Sequence, residues 1–475
     1  MNEANLREHC LSKLEPYGQQ HLIQFWDELD PSEQKHLADQ IDGIDLEQIT
    51  SLFRGDIDQP DWEALSHQAS PPPAVRLTDR RSGSGGDLGI KPAAARRRAE
   101  QAMRAGEVGV ILTAGGQGSR LGFEKPKGLY PIGPISGASL LQIHIEKVRA
   151  LALRYDKKVP LYLMTSPATY QDTIDFLNEN ENFGLEDDDL IVFSQGTMPA
   201  VDQQTGKILL SEKHKLFLSP DGHGGTVAAL GDSQVMQHIH HRGIQHLFYL
   251  QVDNPLVPIC DLELLGYHLM ADSQLTSIAI AKQDPKEKLG CFAMIDDALH
   301  VIEYSDLPEE IAELRCASGG LKFWAGSIAV HIFNLTLLEQ ALELTHTLPY
   351  HVAKKKVPYI DTTGTRVEPQ DSNALKYEKF IFDLLPVARQ PIVVEYAEQD
   401  CFAPLKNAPG APKDTAEYVQ QMMLAEHRSW LEAAGAKVDH DVSIEICPLY
   451  ALDAVGVAQS VQEGQVFSES QYLQN

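Results

Sequence analysis

The amino-acid sequence predicts an α/β protein whose mainly parallel sheet is covered by helices. From Pro92 onward, segments with helical periodicity alternate with short apolar runs, of which Val108 to Ala114 is the clearest. This alternation is typical of α/β folds, in which ligands bind beyond the carboxyl ends of the strands. The chain of 475 residues is 43% hydrophobic and 23% charged, which is the composition of a globular protein.

The first 65 residues or so predict two or three helices. Apolar residues recur at helical spacing, as at Leu22, Phe25 and Trp26. Asp30 is predicted to begin one helix, because its carboxylate can cap the first turn and Glu33 can complete a capping box. A run of prolines at 71–73 and a Ser/Gly run at 82–86 then predict a linker or mobile loop.

The alternating pattern follows. It predicts helices near residues 93–105, 139–153 and 168–178, and strands at 108–114, 159–165 and 189–194. After about residue 390 it predicts a strand at 392–396, a helix near 414–434 and short strands. We therefore divide the chain into a helical N-terminal region with its linker (1–90), a central α/β domain (91–390) and a small C-terminal α+β domain (391–475).

Charge and cysteine content exclude several classes of function. The formal net charge of -27 would repel nucleic acid and an anionic membrane surface, so neither is an expected partner. The apolar runs are much shorter than the roughly 18 residues that span a bilayer. The six cysteines are scattered, with no Cys-x-x-Cys pair, and the first residues do not resemble a secretory signal. These features predict a cytoplasmic location.

A glycine-rich loop is the strongest local signal. The apolar strand that begins at Val108 runs into Gly115-Gly-Gln-Gly118, where missing side chains allow backbone N–H groups to approach phosphate oxygens. The loop is neither a Walker motif nor a dinucleotide fingerprint. The loop continues to Gly122, so Arg120 lies within it and Lys127 follows it. These two cations beside the glycines suit a triphosphate.

These residues carry a family resemblance. The run from Leu112 to Gly122, followed by Pro126-Lys-Gly-Leu-Tyr130, resembles the signature of the UTP:sugar-1-phosphate uridylyltransferases, and most of all the eukaryotic-type UDP-N-acetylhexosamine pyrophosphorylases. Further blocks occur in the family's order: 195–200, 219–225, 252–254, 301–305, 351–359, 375–383 and 402–407. The resemblance covers roughly residues 105 to 410. It implies a Rossmann-like, GT-A-like nucleotidyltransferase fold with a mixed sheet, for which residues 91–390 form the catalytic domain.

The resemblance also implies a reaction and a set of site residues. UTP and a sugar 1-phosphate would give UDP-sugar and pyrophosphate, with Mg²⁺ as cofactor and Asp253 as its ligand. The implied catalytic residues are Arg120, Lys127 and Lys406. The implied nucleotide-binding residues are Leu112, Thr113, Ala114, Gly115, Gly116, Lys127, Gln195, Gly222, Asp253, Lys376 and Lys406, with Gln195 at the uracil edge. The implied sugar-binding residues are His223, Glu303, Tyr304, Ser327, Phe380 and Phe382.

Two departures from the family pattern concern the sugar. His223 and Ser327 stand where the family usually has asparagine, which changes the donors and acceptors offered to a hexose. N-acetylglucosamine 1-phosphate ranks first as the acceptor, and glucose 1-phosphate or another hexose 1-phosphate follows. The alternatives from other classes are a non-catalytic nucleotide-sugar binding protein and a glycosyltransferase. A glycosyltransferase predicts Asp-x-Asp at the strand end, where this chain has Asp253-Asn254-Pro255.

Overall fold

The computed structural model describes residues 3–56, 60–231, 233–317, 319–343 and 348–474. Its α-helices are α1 (Glu3–Leu14), α2 (Pro31–Asp42), α3 (Leu46–Arg54), α4 (Trp62–Gln68), α5 (Leu77–Ser82), α6 (Pro92–Ala105), α7 (Leu140–Tyr155), α8 (Tyr170–Glu179), α9 (Gly225–Leu230), α10 (Ser233–His241), α11 (Leu262–Met270), α12 (Glu309–Ala312), α13 (Leu335–Glu343), α14 (Ala416–Ala433) and α15 (Ala454–Ser460).

Its strands are β1 (Ala74–Val75), β2 (Val108–Thr113), β3 (Leu161–Thr165), β4 (Leu190–Ser194), β5 (Thr197–Pro199), β6 (Val201–Asp202), β7 (Leu210–Glu212), β8 (Lys215–Leu216), β9 (Leu218–Pro220), β10 (His246–Gln251), β11 (Leu275–Ala281), β12 (Cys291–Ile295), β13 (Ala298–Ile302), β14 (Ala325–Asn334), β15 (His351–Lys355), β16 (Tyr359–Ile360), β17 (Arg366–Val367), β18 (Ala374–Glu378), β19 (Ile392–Tyr396), β20 (Lys437–Val438), β21 (Ile444–Ile446), β22 (Val466–Phe467) and β23 (Gln471–Leu473).

The contacts divide the chain into two compact units. Unit 1 comprises Met1–Asp61, Gln195–Thr226 and His346–Asp383, and unit 2 comprises Trp62–Ser194, Val227–Thr345 and Leu384–Asn475. Both units are discontinuous in sequence, whereas the sequence analysis divides the chain into three consecutive segments. Pairing between distant segments, such as β6 with β18 in unit 1, leaves no local signal in the sequence.

In unit 1, the N-terminal helices share a core with an antiparallel sheet in the order β15-β18-β6. Leu22 and Trp26 are buried as predicted, but in short 3-10 turns rather than in a regular helix. The predicted start of α2 is confirmed, because Asp30 accepts hydrogen bonds from the first turn and Glu33 accepts from the backbone of Asp30.

In unit 2, a large mixed sheet has the order β1-β19-β11-β14-β10-β2-β3-β4. The strands β10, β2, β3 and β4 are parallel, as the alternating pattern predicts, whereas β14 is antiparallel to β10 and β11. All residues of β2 are buried in the sheet. The carboxyl ends of β2 and β10 therefore meet at one edge, and they bring the glycine-rich loop and Asp253 to the same place.

Two predictions about the edges of unit 2 are wrong. The segment predicted as a linker contains β1, which pairs with β19, and α5. Its arginines fix it: Arg76 donates to Glu395 at 2.7 Å, and Arg80 donates to Glu263 at 2.8 Å. The strand β19, which was predicted to open a separate C-terminal domain, lies inside the main sheet between β1 and β11. Composition does not reveal either pairing.

Across the described ranges of the chain, no helix combines the length and the apolar character needed to cross a membrane. The longest of them, α14, has a mixed sequence and buries only one face, with Val419, Met423 and Leu431 inside.

Within unit 2, a buried carboxylate helps to hold the C-terminal elements against the preceding part of the chain. The side chain of Glu445, on β21, is almost inaccessible to solvent. It accepts hydrogen bonds from the backbone N–H groups of Ile135 and Ser136, both at 2.6 Å, and from the Ser136 hydroxyl at 2.6 Å. Hydrogen bonds to a charged acceptor are stronger than those between neutral groups, so this contact is a principal anchor of β21.

We expect Glu445→Ala to lower the free energy of unfolding by about 2 to 4 kcal/mol, because three donors lose a charged acceptor in a buried place. Denaturant titration of the full chain measures the change. Glu469→Ala is the matched control, since Glu469 is exposed. Equal stability of the two variants would contradict the anchoring role.

Candidate active site

The glycine-rich loop of unit 2 is held from both sides by the backbone. Ala114 donates its N–H to the Met164 carbonyl at 2.7 Å, and Lys127 donates its N–H to the Gly116 carbonyl at 2.9 Å. Gly118 must be glycine, because a Cβ there would lie 2.7 Å from the Phe123 ring and carbonyl. At Gly116 a Cβ would meet nothing within 4 Å, so this part of the loop is open to a ligand.

Other loop residues are placed by the same strand. Leu112 and Thr113 are buried at the end of β2, and the Thr113 hydroxyl donates to the Leu250 carbonyl at 3.3 Å. The Ser166 hydroxyl donates to the Gly115 carbonyl at 2.8 Å. Ser166 is not among the predicted site residues, although its position directly after β3 is a signal that could have indicated it.

A compact charge cluster lies beside the loop. The Lys127 ammonium contacts the Asp253 carboxylate at 3.1 Å, and both side chains are largely buried. Burial alone would raise the pKa of Asp253, but the positive charges of Lys127 and Lys406 and the hydrogen bond from Lys127 outweigh it, so the pKa lies below its usual value. The structure thus brings together three predicted residues and keeps the carboxylate ionised.

The segment that carries Lys406 is fixed to the turn after β10. Leu405 donates its N–H to the Asp253 carbonyl at 2.8 Å. The side chain of Asn254 accepts from the Ala403 N–H at 3.1 Å and donates to the Cys401 carbonyl at 2.8 Å. Asn254 is a positioning residue that the sequence analysis quoted only as part of a motif; its signal was a polar side chain directly after a buried strand.

Arg120 lies on a short 3-10 turn, Ser119–Leu121. Its side chain is exposed and makes no hydrogen bond or ion pair with any residue that the structure describes. The guanidinium is therefore available to an anionic ligand, and its predicted contact with pyrophosphate stays a prediction.

The residues present fit a magnesium ion that is shared with substrate. Among the described residues, no group of three or more His, Cys, Asp or Glu side chains could hold a metal on its own. Mg²⁺ is commonly bound through only one or two carboxylates together with substrate phosphates. Asp253, an ionised carboxylate beside two lysines, meets that requirement as a single protein ligand.

In unit 1, an aromatic cluster surrounds His223. Its ring stacks on Phe380 with centroids 5.1 Å apart and lies 5.7 Å from Phe382. His351 packs on the Phe380 ring at 4.2 Å. The two phenylalanines follow β18 rather than lying on it. Three predicted sugar-binding residues are thus brought together.

The hydrogen bonds of His223 define its protonation. Its Nδ1 accepts from the Ile381 N–H at 3.1 Å, so the remaining proton is on Nε2. Burial, together with the nearby His351, lowers the pKa of His223 to about 4, and the ring is neutral at pH 7. One N–H donor is left for a ligand.

The loop before His223 requires glycine. Gly222 has φ +88°, and a Cβ there would lie 2.4 Å from the Lys379 carbonyl. Gly224 donates its N–H to the same carbonyl at 2.8 Å. Gln195, also of unit 1, is buried, and Lys376 on β18 lies with its ammonium 5.0 Å from the Phe217 ring.

The other predicted sugar-binding residues belong to unit 2. Ser327 donates its N–H to the Gly290 carbonyl at 2.8 Å, and a Glu303 carboxylate oxygen lies 2.9 Å from where a Gly290 Cβ would be. Tyr304 is 47% exposed. The structure therefore brings Glu303 and Ser327 together at Gly290, a residue that the sequence analysis did not single out.

Comparison with known proteins identifies the family. The family model described as UTP–glucose-1-phosphate uridylyltransferase matches residues 86–460. The chain belongs to this family. The predicted family, the α/β fold and the assignment as a nucleotidyltransferase that transfers a uridylyl group are therefore confirmed.

Individual relatives cover most of the chain. It is 34% identical over 466 residues to UDP-N-acetylhexosamine pyrophosphorylase-like protein 1 of Xenopus tropicalis, covering 95% of this chain and 90% of the relative. It is 38% identical over 379 residues to the UDP-N-acetylglucosamine pyrophosphorylase of Saccharomyces cerevisiae, covering 78% and 79%.

Solved structures of similar proteins have the same fold as this chain. The uridine diphosphate N-acetylglucosamine pyrophosphorylase of Trypanosoma brucei, in complex with inhibitor, matches with a TM-score of 0.81 and 26% identity, covering 97% of this chain and 95% of that one. A mutant UDP-glucose pyrophosphorylase of Leishmania major matches with a TM-score of 0.56 and 17% identity, covering 81% and 76%. At that identity the second match shows the fold alone.

Asp221 is a further residue of this uridylyltransferase that the sequence analysis missed. Its backbone N–H donates to the Gly196 carbonyl at 3.2 Å, next to Gln195, and its carbonyl accepts from the Lys379 N–H at 2.8 Å. Its Oδ1 is buried and has no hydrogen-bond partner within the described part of the chain. Burial raises the pKa of Asp221 to about 6, against the opposing effects of its own backbone N–H and of Lys379.

We expect Asp221 to make stability depend on pH. Its pKa is about 6 in the folded protein and about 3.9 in an unfolded chain. The folded state thus binds more protons between these values, and the free energy of unfolding falls as pH rises from about 4 through 6, by about 2 to 3 kcal/mol in total. Thermal melts over this range should show a smaller loss of stability with rising pH in Asp221→Asn than in wild type.

Asp371→Asn is the control for this experiment, because Asp371 is an exposed aspartate of the same unit. It should keep the wild-type pH dependence. A parallel decline in Asp221→Asn would assign the effect to other groups.

Proposed function

We propose that this uridylyltransferase uses N-acetylglucosamine 1-phosphate as its acceptor, depends on Mg²⁺, and neutralises phosphate charge with Lys127, Lys406 and Arg120. The observation that carries the proposal is the Lys127–Asp253–Lys406 cluster beside an open glycine loop, in a member of this family. It supplies a largely buried ammonium, a second lysine nearby and one ionised carboxylate at the end of two parallel strands, where α/β proteins bind ligands.

The chemistry needs alignment more than acid–base catalysis. An oxygen of the sugar phosphate, already an anion, attacks the α-phosphorus of UTP, and the bond from that phosphorus to the bridging oxygen breaks as pyrophosphate leaves. No general base is required, so positioning and charge compensation lower the barrier. Lys127 and Lys406 would compensate charge on the phosphates, and Arg120 would bind the departing pyrophosphate.

Asp253 would hold the magnesium ion, which supplies further positive charge to the phosphates when bound. The carboxylate is suited to this role because the two lysines keep it ionised despite its burial. Lys376 of unit 1 is proposed as a further phosphate contact.

The base and the sugar are assigned to other residues. Gln195 offers both a donor and an acceptor, which suits the uracil edge. The backbone of residues 112–116 would support the uridine, and Gly222 would admit the nucleotide because it has no side chain. His223, Phe380 and Phe382 in unit 1, and Glu303, Tyr304 and Ser327 in unit 2, are proposed for the sugar.

The choice of sugar rests on the relatives. The yeast relative and the Trypanosoma brucei structure are both named for UDP-N-acetylglucosamine, and the latter matches with the higher TM-score of the two structures reported above. Glucose 1-phosphate is the second candidate, because His223 and Ser327 replace the usual amides. We also propose a cytoplasmic location, with which six unpaired cysteines agree.

We expect Lys127→Ala to lower kcat by about 10²- to 10³-fold, the usual cost of removing one preorganised group that stabilises developing charge. Pyrophosphate release from UTP and N-acetylglucosamine 1-phosphate measures it. Lys125→Ala is the control, since Lys125 is exposed two residues away. Near-wild-type turnover of Lys127→Ala would place the phosphates elsewhere, and an inactive wild type on every sugar would favour a non-catalytic binding protein.

We expect activity to require a divalent cation and to disappear in excess chelator. Asp253→Asn should raise the Mg²⁺ concentration for half-maximal rate as well as lower kcat, because an amide is a weaker ligand for this hard cation than a carboxylate. Asp272→Asn, at an exposed site, should leave both values unchanged. Full activity without metal would contradict the role of Asp253.

We expect kcat/KM to favour N-acetylglucosamine 1-phosphate strongly over glucose 1-phosphate, because a pocket that hydrogen-bonds an acetamide leaves polar groups unpaired when it is missing. His223→Asn should change this ratio, since the His223 Nε2–H is the donor left for a ligand. His241→Asn, on the surface, should not. A wild-type preference for glucose 1-phosphate would reverse the ranking of the sugars.

A further inference from the structure

Two side chains on one face of α7 donate hydrogen bonds to the turn that follows β10. His144 and Lys147 are three residues apart and therefore lie on the same face of the helix. The His144 Nε2–H donates to the Val252 carbonyl at 3.1 Å. The Lys147 ammonium donates to the carbonyls of Pro255 at 2.5 Å and Val257 at 3.0 Å.

Both His144 and Lys147 are polar side chains in buried surroundings. His144 has no exposed surface, and burial lowers its pKa to about 3, so it is a neutral donor. Lys147 lines a cavity of about 20 Å³ together with Glu146 and Glu426. That volume accommodates about one water molecule. Burying an ammonium is costly unless it is paired and hydrogen-bonded, and here the hydrogen bonds all go to one turn.

The turn after β10, which accepts these hydrogen bonds, carries two residues of the candidate site. Asp253 and Asn254 stand between the three carbonyls that α7 holds. Asp253 contacts Lys127 through its carboxylate and the Leu405 N–H through its carbonyl, while Asn254 binds the backbone at residues 401 and 403. A shift of the turn would therefore move the Asp253 carboxylate and the Lys406 segment together.

We propose that Lys147, with His144, is a positioning residue for uridylyl transfer: it fixes the turn so that Asp253 and Lys406 keep their places beside Lys127. Lys147 touches no reacting atom. The side chain acts through the Pro255 and Val257 carbonyls. The inference rests on the roles of Asp253 and Lys406 in the proposed function, while the structural coupling it describes can be measured without activity.

The test is Lys147→Met in the full chain, which keeps most of the apolar stem and removes the ammonium. Hydrogen exchange reports on the amides of Ala403 and Leu405, whose acceptors belong to the turn. We expect their exchange to quicken at least tenfold, and kcat to fall at least tenfold, while KM for UTP changes less than threefold. Arg149→Met is the matched control.

The control is on the same helix and also removes a cation that donates to a carbonyl, because Arg149 binds the Phe183 carbonyl at 2.6 Å. It should change neither the exchange at 403 and 405 nor kcat. Equal effects of the two variants would reduce the role of Lys147 to general helix stability and overturn the proposal.

The outcomes separate this inference from the proposed function. Unchanged exchange at 403 and 405 in Lys147→Met overturns the inference, and so does faster exchange with unchanged kcat. A wild type that releases no pyrophosphate defeats the proposed function, while the exchange result still decides the coupling. If Lys147→Met does not fold, His144→Leu is used instead, since it removes the hydrogen bond to the Val252 carbonyl. It must show both faster exchange at 403 and 405 and a lower kcat, or the proposal is overturned.

Discussion

The contact between the Lys127 ammonium and the Asp253 carboxylate is the interaction on which the candidate active site depends. It joins the loop after β2 to the turn after β10, at the edge where two parallel strands end. Burial by itself would raise the pKa of Asp253 and favour its neutral form. Lys127 and Lys406 together lower this pKa, so the carboxylate stays ionised. Because the two lysines outnumber the one carboxylate, the cluster is locally positive in a chain whose formal net charge is -27.

The turn after β10 is the second constraint, because it is held on several sides. Backbone atoms from residues 401–405 bind Asp253 and Asn254, and α7 binds the carbonyls at 252, 255 and 257. Residues more than 100 positions apart in the chain thereby meet at one turn. A rigid turn suits a reaction whose rate depends on the alignment of phosphates more than on proton transfer.

In unit 1, the region around His223 depends on close contact between two backbone segments and not on an ion pair. Gly222 and Gly224 lie against the Lys379 backbone, at distances that exclude any side chain. This contact sets His223 against Phe380, and the Ile381 N–H fixes the imidazole tautomer. The imidazole therefore offers one donor in a mostly aromatic setting.

The sequence by itself determined the class, the family and the order of the local elements. The strand β2, the start of α2 and the helices α6, α7 and α14 follow from periodicity and capping, which act over a few residues. The glycine loop and its cations could likewise be predicted, because they lie next to one another in the chain. Only the tertiary structure decided that β1 and β19 complete the main sheet, that Asn254 and α7 hold the turn of Asp253, and that Asp221 is a buried carboxyl. Each depends on pairing or burial between distant segments, for which a single sequence carries no local pattern.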